Sequence, residues 1–443
     1  MTLLWLFVSP ASEIEIDYTT DMHGRIDAFL RLAPLLRKNP DAIRIDCGDT
    51  LQGTLLSRHS NGQIMIALLN QLAYDIWIPG NHDFEFGADS LIKAAQQFRG
   101  KTLAAEFRRA EFQPEAWTLI ERKGHKIAVI GMTDPKMAQR LLPDSGWEFE
   151  SNRDALRKIM PQVLASQPDL IVLAWHSGIY TPQENMFRFL ADFPEIDLVL
   201  GGHSHEENTG RKIAGAWFVQ AGRYAACFAK IRVIFDDDNG KLQRITSELI
   251  RPGDNAPIDI KAKLSIRPFE KAYYPYANTL IAKLAQPLQL PEKNDDRTPI
   301  CKIGAEALKI AAQSDAAMFS VSAMPQFFAP RELTNAGLFT LLPYENELCT
   351  VELTKSEFTE MLNELQIANR HGRTVFSFAG VDVRKTKTKW IASDNTPAKL
   401  TLAITTYTLT SNPLLRKKME QKQYKLLHIS ERDAVGAYLK NRR

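Results

Sequence analysis

Five short clusters in the first half of the chain set imidazole, carboxylate and amide side chains beside glycine. They are Asp21-Met-His23-Gly24, Cys47-Gly-Asp49-Thr-Leu-Gln-Gly53, Gly80-Asn81-His82-Asp83, Trp175-His176-Ser-Gly178 and Gly201-Gly-His203-Ser-His205. Nitrogen and oxygen donors of this kind suit Mn²⁺, Fe, Zn²⁺ or Mg²⁺ and need no thiolate. In an extended segment side chains alternate with period two, so Asp-x-His and His-x-His are expected to send two donors to one side of the chain. A carboxylate such as Asp49 has two oxygens and can bridge two cations ~3.5 to 4 Å apart, the separation of hydrolytic two-metal sites. Singly, each cluster has an ordinary structural explanation: Asp-x-His caps a turn, Asn tolerates left-handed backbone, a lone His sits satisfied in a core. Jointly, five of the nine histidines fall in these clusters, each where an apolar run ends, and that placement points to a metal centre.

The elements that must carry these residues are legible as alternating patterns. Strand-like runs are Ile14 to Tyr18, Ala42 to Asp46, Asp75 to Ile78, Lys126 to Ile130, Asp169 to Ala174 and Ile196 to Leu200, while Ile26 to Arg37 and Gln63 to Leu72 repeat their apolar residues at helical spacing. This describes a layered α/β domain, with the polar clusters at the strand ends where open α/β sheets place their sites. Phe228 to Ile250 reads as a closing hairpin turning at Asp236-Asp-Asp-Asn-Gly240, and Arg251-Pro-Gly-Asp-Asn-Ala-Pro257 reads as a boundary. The expected organisation is a catalytic domain over 13–250, a largely helical connector over 251–290 and a smaller α/β domain over 291–443 that opens with a helix from Ile303 to Ala312.

Composition narrows the classes. With 55 Lys+Arg against 52 Asp+Glu, the net charge of +3 on 443 residues gives no basic footprint for general nucleic-acid or membrane-surface binding. A 44% hydrophobic content is enough to build a core and argues against a disordered chain. The four cysteines, Cys47, Cys227, Cys301 and Cys349, lie far apart without CxxC spacing, which indicates neither a disulfide framework nor a thiolate zinc site. Residues 1–12 hold a short apolar run with no basic segment before it, and no later stretch approaches the ~18 apolar residues of a membrane span.

The order DxHG, GD, GNHD, H, GHxH resembles the calcineurin-like metallophosphoesterases, and Thr19-Thr-Asp-Met-His-Gly24 with Gly48-Asp-Thr-Leu-Gln-Gly53 resembles the branch of 5′-nucleotidases and 2′,3′-cyclic-nucleotide 2′-phosphodiesterase/3′-nucleotidases. In the second half, Leu342-Pro-Tyr-Glu-Asn-Glu-Leu-Cys-Thr-Val-Glu-Leu353 and Val375-Phe-Ser-Phe-Ala-Gly-Val-Asp-Val383 are similar to blocks of that branch. The resemblance implies a four-layer αββα domain followed by a smaller α/β nucleotidase-type domain, and two divalent metal ions (Mn²⁺, Zn²⁺ or Fe). It implies that Asp21, His23, Asp49 and His205 hold one ion, that Asp49, Asn81, His176 and His203 hold the other, and that Asp49 bridges. His82 matches the histidine that stabilises or protonates the leaving oxygen, and Glu85 stands where nucleotidases often carry the Asp that orients it.

The implied activity is hydrolysis of nucleotide phosphoesters, of the 5′-nucleotidase or cyclic phosphodiesterase/3′-nucleotidase kind, by a hydroxide held between the metals. The partner is then a small phosphoester and not a stable nucleic acid. The resemblance implies an extracytoplasmic location, while the incomplete leader leaves a cytoplasmic one open. Substrate contacts are sought in the second half at Phe376, Phe378, Tyr407 and Arg331, with Arg373 beside them, although aromatic-rich strands normally pack. The family's GGxR segment is absent from Phe319 to Arg331, and Thr410-Ser-Asn-Pro-Leu-Leu415 replaces its glycine-rich base-binding loop. A phosphatase for a sugar phosphate or similar ester, and a DNA-processing metallo-nuclease, stand as alternatives.

Overall fold

A computed structural model describes residues 12–133, 146–180, 185–236, 238–292, 295–322, 328–329, 331–344, 346–368, 374–386 and 390–441. The chain forms two compact units that divide between Lys271 and Ala272.

The first unit is built on two six-stranded sheets. In the first sheet, β1 (Ser12–Thr19) lies between Phe228–Phe235, antiparallel, and β2 (Ile43–Asp46), parallel; β3 (Ile76–Trp77) and Lys101–Thr102 continue the parallel side, and Leu242–Ile250 closes the other edge as a hairpin with Phe228–Phe235. The second sheet runs Glu207–Ile213, Ala216–Ala221, Leu198–Leu200, Leu170–His176, His125–Thr133, Trp117–Arg122, parallel through its centre.

The sheets face each other. Ile14, Ile16, Ile43, Ile45 and Cys47 from one pack with Ile127, Val129, Leu170, Val172, Leu198 and Leu200 from the other in a single apolar core. Helices cover both outer faces: Ile26–Leu36, Gln63–Gln71 and Ala88–Gln97 on the first sheet, Asn152–Ala165 and Met186–Leu190 on the second. The result is the expected four-layer α/β/β/α arrangement. Leu170–His176 is buried at every position, which is why it reads as an unbroken apolar run: a parallel strand covered on both faces has no solvent side to mark with polar residues.

Beyond Ile250 the chain is helical over Ile260–Ser265 and Arg267–Ala277 and then extended over Leu280–Lys283. The second unit is a five-stranded mixed sheet in the order Thr374–Ala379, Ala316–Ser322, Lys399–Thr405, Glu347–Thr354, Lys425–Ser430. Pro299–Ala312 and Glu431–Asn441 cover one face of it, and Lys355–Ala368 with Thr406–Ser411 and Pro413–Glu420 cover the other.

Candidate metal centre

Every cluster singled out in the sequence lies just past a strand of the first unit. Asp21 and His23 follow β1, Asp49 follows β2 and Asn81 to Asp83 follow β3, while His176 ends Leu170–His176 and His203 and His205 follow Leu198–Leu200. The centre therefore draws donors from both sheets at one end of the sandwich.

The loop after β1 extends the sheet by continuing to pair with the loop after β2. Asp21, His23 and Gly24 donate their N–H groups to the carbonyls of Gly48, Asp49 and Thr50 at 2.8, 2.7 and 3.0 Å. The loop after β2 in turn lies against the loop after β3. A Cβ on Gly48, whose φ is +86°, would sit 2.3 Å from Gly80 N, and one on Gly80 would sit 2.4 Å from Asp49 Oδ1, so only glycine at both places lets the two backbones touch.

The paired donors converge differently from the expectation of an extended chain. Asp21, His23, Asp49, His203 and His205 all have φ between +46° and +66°. Each Asp-x-His or His-x-His pair is folded into a turn of left-handed residues, and strand alternation plays no part. Non-glycine residues hold such angles at a cost of about 1–2 kcal/mol each, and they persist where surrounding contacts over-determine them.

Two donor groups result. One carboxylate oxygen or ring nitrogen from each of Asp21, His23, Asp49 and His205 falls within 4.8 Å of the others, and so do those of Asp49, His176 and His203. Asp49 belongs to both. Asn81, fully buried, places its Oδ1 2.9 Å from His203 Nδ1. His23 Nε2 and His205 Nε2 stand 3.0 Å apart, and His205 Nε2 is 3.3 Å from Asp21 Oδ1.

Hydrogen bonds on the far sides of the rings set the tautomers. His23 Nδ1 lies 3.3 Å from Gln52 Oε1, and His176 Nδ1 donates to the Cys47 carbonyl, which in each case turns Nε2 inward. Burial lowers the His23 pKa to about 4, so this ring is neutral and offers a lone pair. Burial also pushes His176 down, but Asp49 and Asp21 outweigh it and raise it to about 10. Asp49, which burial alone would push up, is held well below the usual carboxylate range by His176 and His82.

The chemistry of this donor set fits divalent cations. Asp49 Oδ2 and His176 Nε2 are buried and face one another across 3.2 Å. A proton on His176 holds this pair together, and a divalent cation that displaced it would take both atoms as donors.

His82 and Glu85 lie beside the donors. The His82 backbone N–H donates to Asp49 Oδ1 at 2.8 Å, its ring meets His23 edge to face with centroids 5.4 Å apart, and Nδ1 is hydrogen-bonded to Glu85 Oε1. Burial lowers the His82 pKa, while Asp49 and Glu85 raise it to a net value of about 9.

Sequence reasoning quoted Asp83 only as the last letter of a motif. The structure gives it a positioning role: fully buried, it accepts from Thr50 N (2.9 Å) and Leu51 N (2.7 Å) on Oδ1 and from Gly80 N (2.8 Å) on Oδ2, stapling the Asp49 loop to the Asn81 loop. Gln52 was likewise passed over. A carboxylate two residues after a Gly-Asn pair, in reach of two glycine-rich loops, is the signal that was available.

The second-unit candidates are described within that unit. Phe376 is 8% exposed and buried with Phe358, Met361 and Leu402, and Phe378 packs edge to face on Phe358 and Trp390. Both rings therefore build the core of their own unit. Tyr407 is 61% exposed at the start of Thr406–Ser411, and Arg331 is exposed beside Glu332–Thr334. Arg373 lies outside the described residues.

Residues 14–207 match the family model of the calcineurin-like phosphoesterases, so the chain carries a calcineurin-like phosphoesterase domain. It is 22% identical over 368 residues to an endonuclease of Bacillus subtilis, covering 77% of this chain and 30% of that protein. It is 22% identical over 377 residues to a 5′-nucleotidase of Vibrio vulnificus, covering 71% of this chain and 66% of that protein. The chain thus spans less than two thirds of either relative's length. A 5′-nucleotidase precursor structure from Thermus thermophilus superposes with a TM-score of 0.70 at 18% identity, covering 97% of this chain and 96% of that one, and shares the fold. No helix among the described residues is long and apolar enough to cross a membrane.

Proposed function

We propose that this chain hydrolyses phosphoester bonds of nucleotides with the help of two divalent cations, as a 5′-nucleotidase, a 2′,3′-cyclic-nucleotide phosphodiesterase/3′-nucleotidase, or both. The observation that carries the proposal is the convergence of Asp21, His23, Asp49 and His205 on one point and of Asp49, His176 and His203 on a second, with Asn81 beside it. In this reading the first four hold one cation, Asp49, Asn81, His176 and His203 hold the other, and Asp49 bridges. When bound, such a pair supplies Lewis acidity toward phosphoryl oxygens and toward a water.

The remaining chemistry falls to side chains. His82 Nδ1 is occupied by Glu85, which directs Nε2 away from the backbone and fixes the ring orientation. His82 then donates a proton, or a hydrogen bond, to the departing alkoxide, a role worth ~10²- to 10⁴-fold. Glu85 acts through His82 as its positioning residue, longer by one methylene than the aspartate expected there. Asp83 and Gln52 hold the Asp49 loop and the His23 ring in place.

The test is product release from 5′-AMP, 3′-AMP, 2′,3′-cyclic AMP, a sugar phosphate and bis-p-nitrophenyl phosphate in Mn²⁺, with Asp49→Asn as the blank. Nucleotide turnover that Asp49→Asn abolishes while remaining folded supports the proposal; turnover retained by Asp49→Asn refutes the bridging assignment. The endonuclease relative covers 77% of this chain and favours a second reading, nucleic-acid cleavage. Plasmid DNA in the same panel decides it, and the +3 net charge argues for the small substrate.

A further inference from the structure

Beside the first donor group stands a cluster that the metal chemistry does not use. Tyr224 lies with its ring 5.6 Å from His23 and 5.8 Å from His205, both edge to face. Two guanidinium groups rest on that ring: Arg25 at 4.7 Å from its centroid and Arg223 at 4.9 Å. Arg223 Nη1 also lies 3.3 Å from His205 Nδ1. Both arginines are exposed, and among the described residues neither has a carboxylate within 4.0 Å.

The backbone holds this cluster against its own preference. Tyr224 and Ala225 are consecutive non-glycine residues with φ of +62° and +53°. Tyr224 N–H donates to the Asp21 carbonyl at 2.7 Å, which ties the strained turn to the loop that carries the donors. Strain of about 1–3 kcal/mol per residue, persisting beside a site, is a pointer to function. Arg25 stands at the N-cap of Ile26–Leu36, where the helix dipole adds positive potential. Asp27 follows Arg25 by two residues, and Glu207 is paired with Arg251.

We propose that Arg25, Tyr224 and Arg223 form an anion subsite that receives a second phosphoryl group, adjacent to the one being cleaved. The inference rests on the proposed phosphoester hydrolysis at the metal centre and specifies its substrate as one with two neighbouring phosphoryl groups. Tyr224 restrains two planar, permanently charged forks one ring's width from the donors on the His23 and His205 side. Guanidinium N–H groups pair with phosphoryl oxygens in bidentate fashion. A single phosphate on the metal pair would leave these donors to solvent, whereas a neighbouring phosphoryl group engages them.

The experiment compares two non-hydrolysable probes, methylphosphonate and methylenediphosphonate, titrated calorimetrically into the full chain at one fixed free Mn²⁺ concentration. Wild type is expected to bind the diphosphonate at least about tenfold more tightly, the worth of one charge-assisted pair. The double variant Arg25→Gln/Arg223→Gln, and independently Tyr224→Leu, should retain less than about a third of that preference. Equal affinity in wild type, or a preference that survives both variants, overturns the inference. Turnover of 5′-AMP, 3′-AMP, 2′,3′-cyclic AMP and bis-p-nitrophenyl phosphate is followed in the same buffer. Failure of wild type on all four refutes hydrolysis at the centre and leaves the titration to decide the subsite by itself.

Discussion

Asp83→Asn is expected to destabilise the first unit by about 3 kcal/mol at pH 8. Asp83 Oδ1 accepts two backbone N–H groups and Oδ2 a third, all within 2.9 Å and without access to water. An amide can keep the two bonds at Oδ1 as neutral bonds, but it turns an N–H toward Gly80 N–H, so one charge-assisted bond worth about 1.5–3 kcal/mol is lost and two are weakened. Burial and the neighbouring Asp49 push the Asp83 carboxyl up to about 7, so pH 8 is where the ionised acceptor is being compared with the amide. Asp83→Ala orphans three buried donors at about 1–3 kcal/mol each, a sum that rivals the 5–15 kcal/mol holding a whole domain together, and should accumulate little folded protein. Urea titration followed by tryptophan fluorescence measures the loss, since Trp77 and Trp175 are buried in this unit. Metal content, measured on the same folded Asp83→Asn protein, should fall because Asp49 and Asn81 sit on the two stapled loops. A loss under about 0.5 kcal/mol with full metal content would refute the staple.

Gly48→Ala should cost at least about 2 kcal/mol and reduce metal binding, because its Cβ meets Gly80 N at 2.3 Å and its φ is left-handed; unchanged urea midpoint and metal content would contradict the close approach. Cys47→Ala should leave metal stoichiometry unchanged, since the thiol is buried between the sheets and directs Sγ at the Leu200 carbonyl 3.5 Å away, and loss of one equivalent would place it among the ligands. In the second unit, burial raises the Glu431 carboxyl to about 7 from 4.5. Between those values the folded state binds more protons than the unfolded one, so its stability is full below about 4.5 and falls as pH rises through 7, by about 3 kcal/mol in all. Glu431→Gln should flatten that decline in pH-dependent denaturation, and an unaltered profile would assign it elsewhere.

Much of the centre was legible because its donors interrupt long apolar runs. Leu170–His176 is buried at every position, so the first polar side chain after its apolar run, His176, marks the strand end, where the site lies. The αββα layering was implied by family resemblance; periodicity alone cannot say which sheet a strand joins, since pairing such as β1 with Phe228–Phe235 is set by contacts two hundred residues apart. The left-handed angles at Asp21, His23, Asp49, His203 and His205 were invisible because local preference disfavours them and only tertiary contacts impose them. Phe376 and Phe378, named as candidate base contacts and weighed against a packing role, pack in the core of the second unit, as aromatic strand residues commonly do. Arg25, Arg223 and Tyr224 carry no motif, and only folding brings positions two hundred residues apart onto one ring.

The donors of one centre come from positions 21, 23, 49, 81, 176, 203 and 205, on loops of two sheets that share no hydrogen-bonded strand pair. The first sheet alone carries Asp21, His23, Asp49 and Asn81, and His176, His203 and His205 join them only when the second sheet docks. Under the proposed assignment a cation bound by the complete set would stabilise the docked pair of sheets, and a full metal complement would report a closed sandwich.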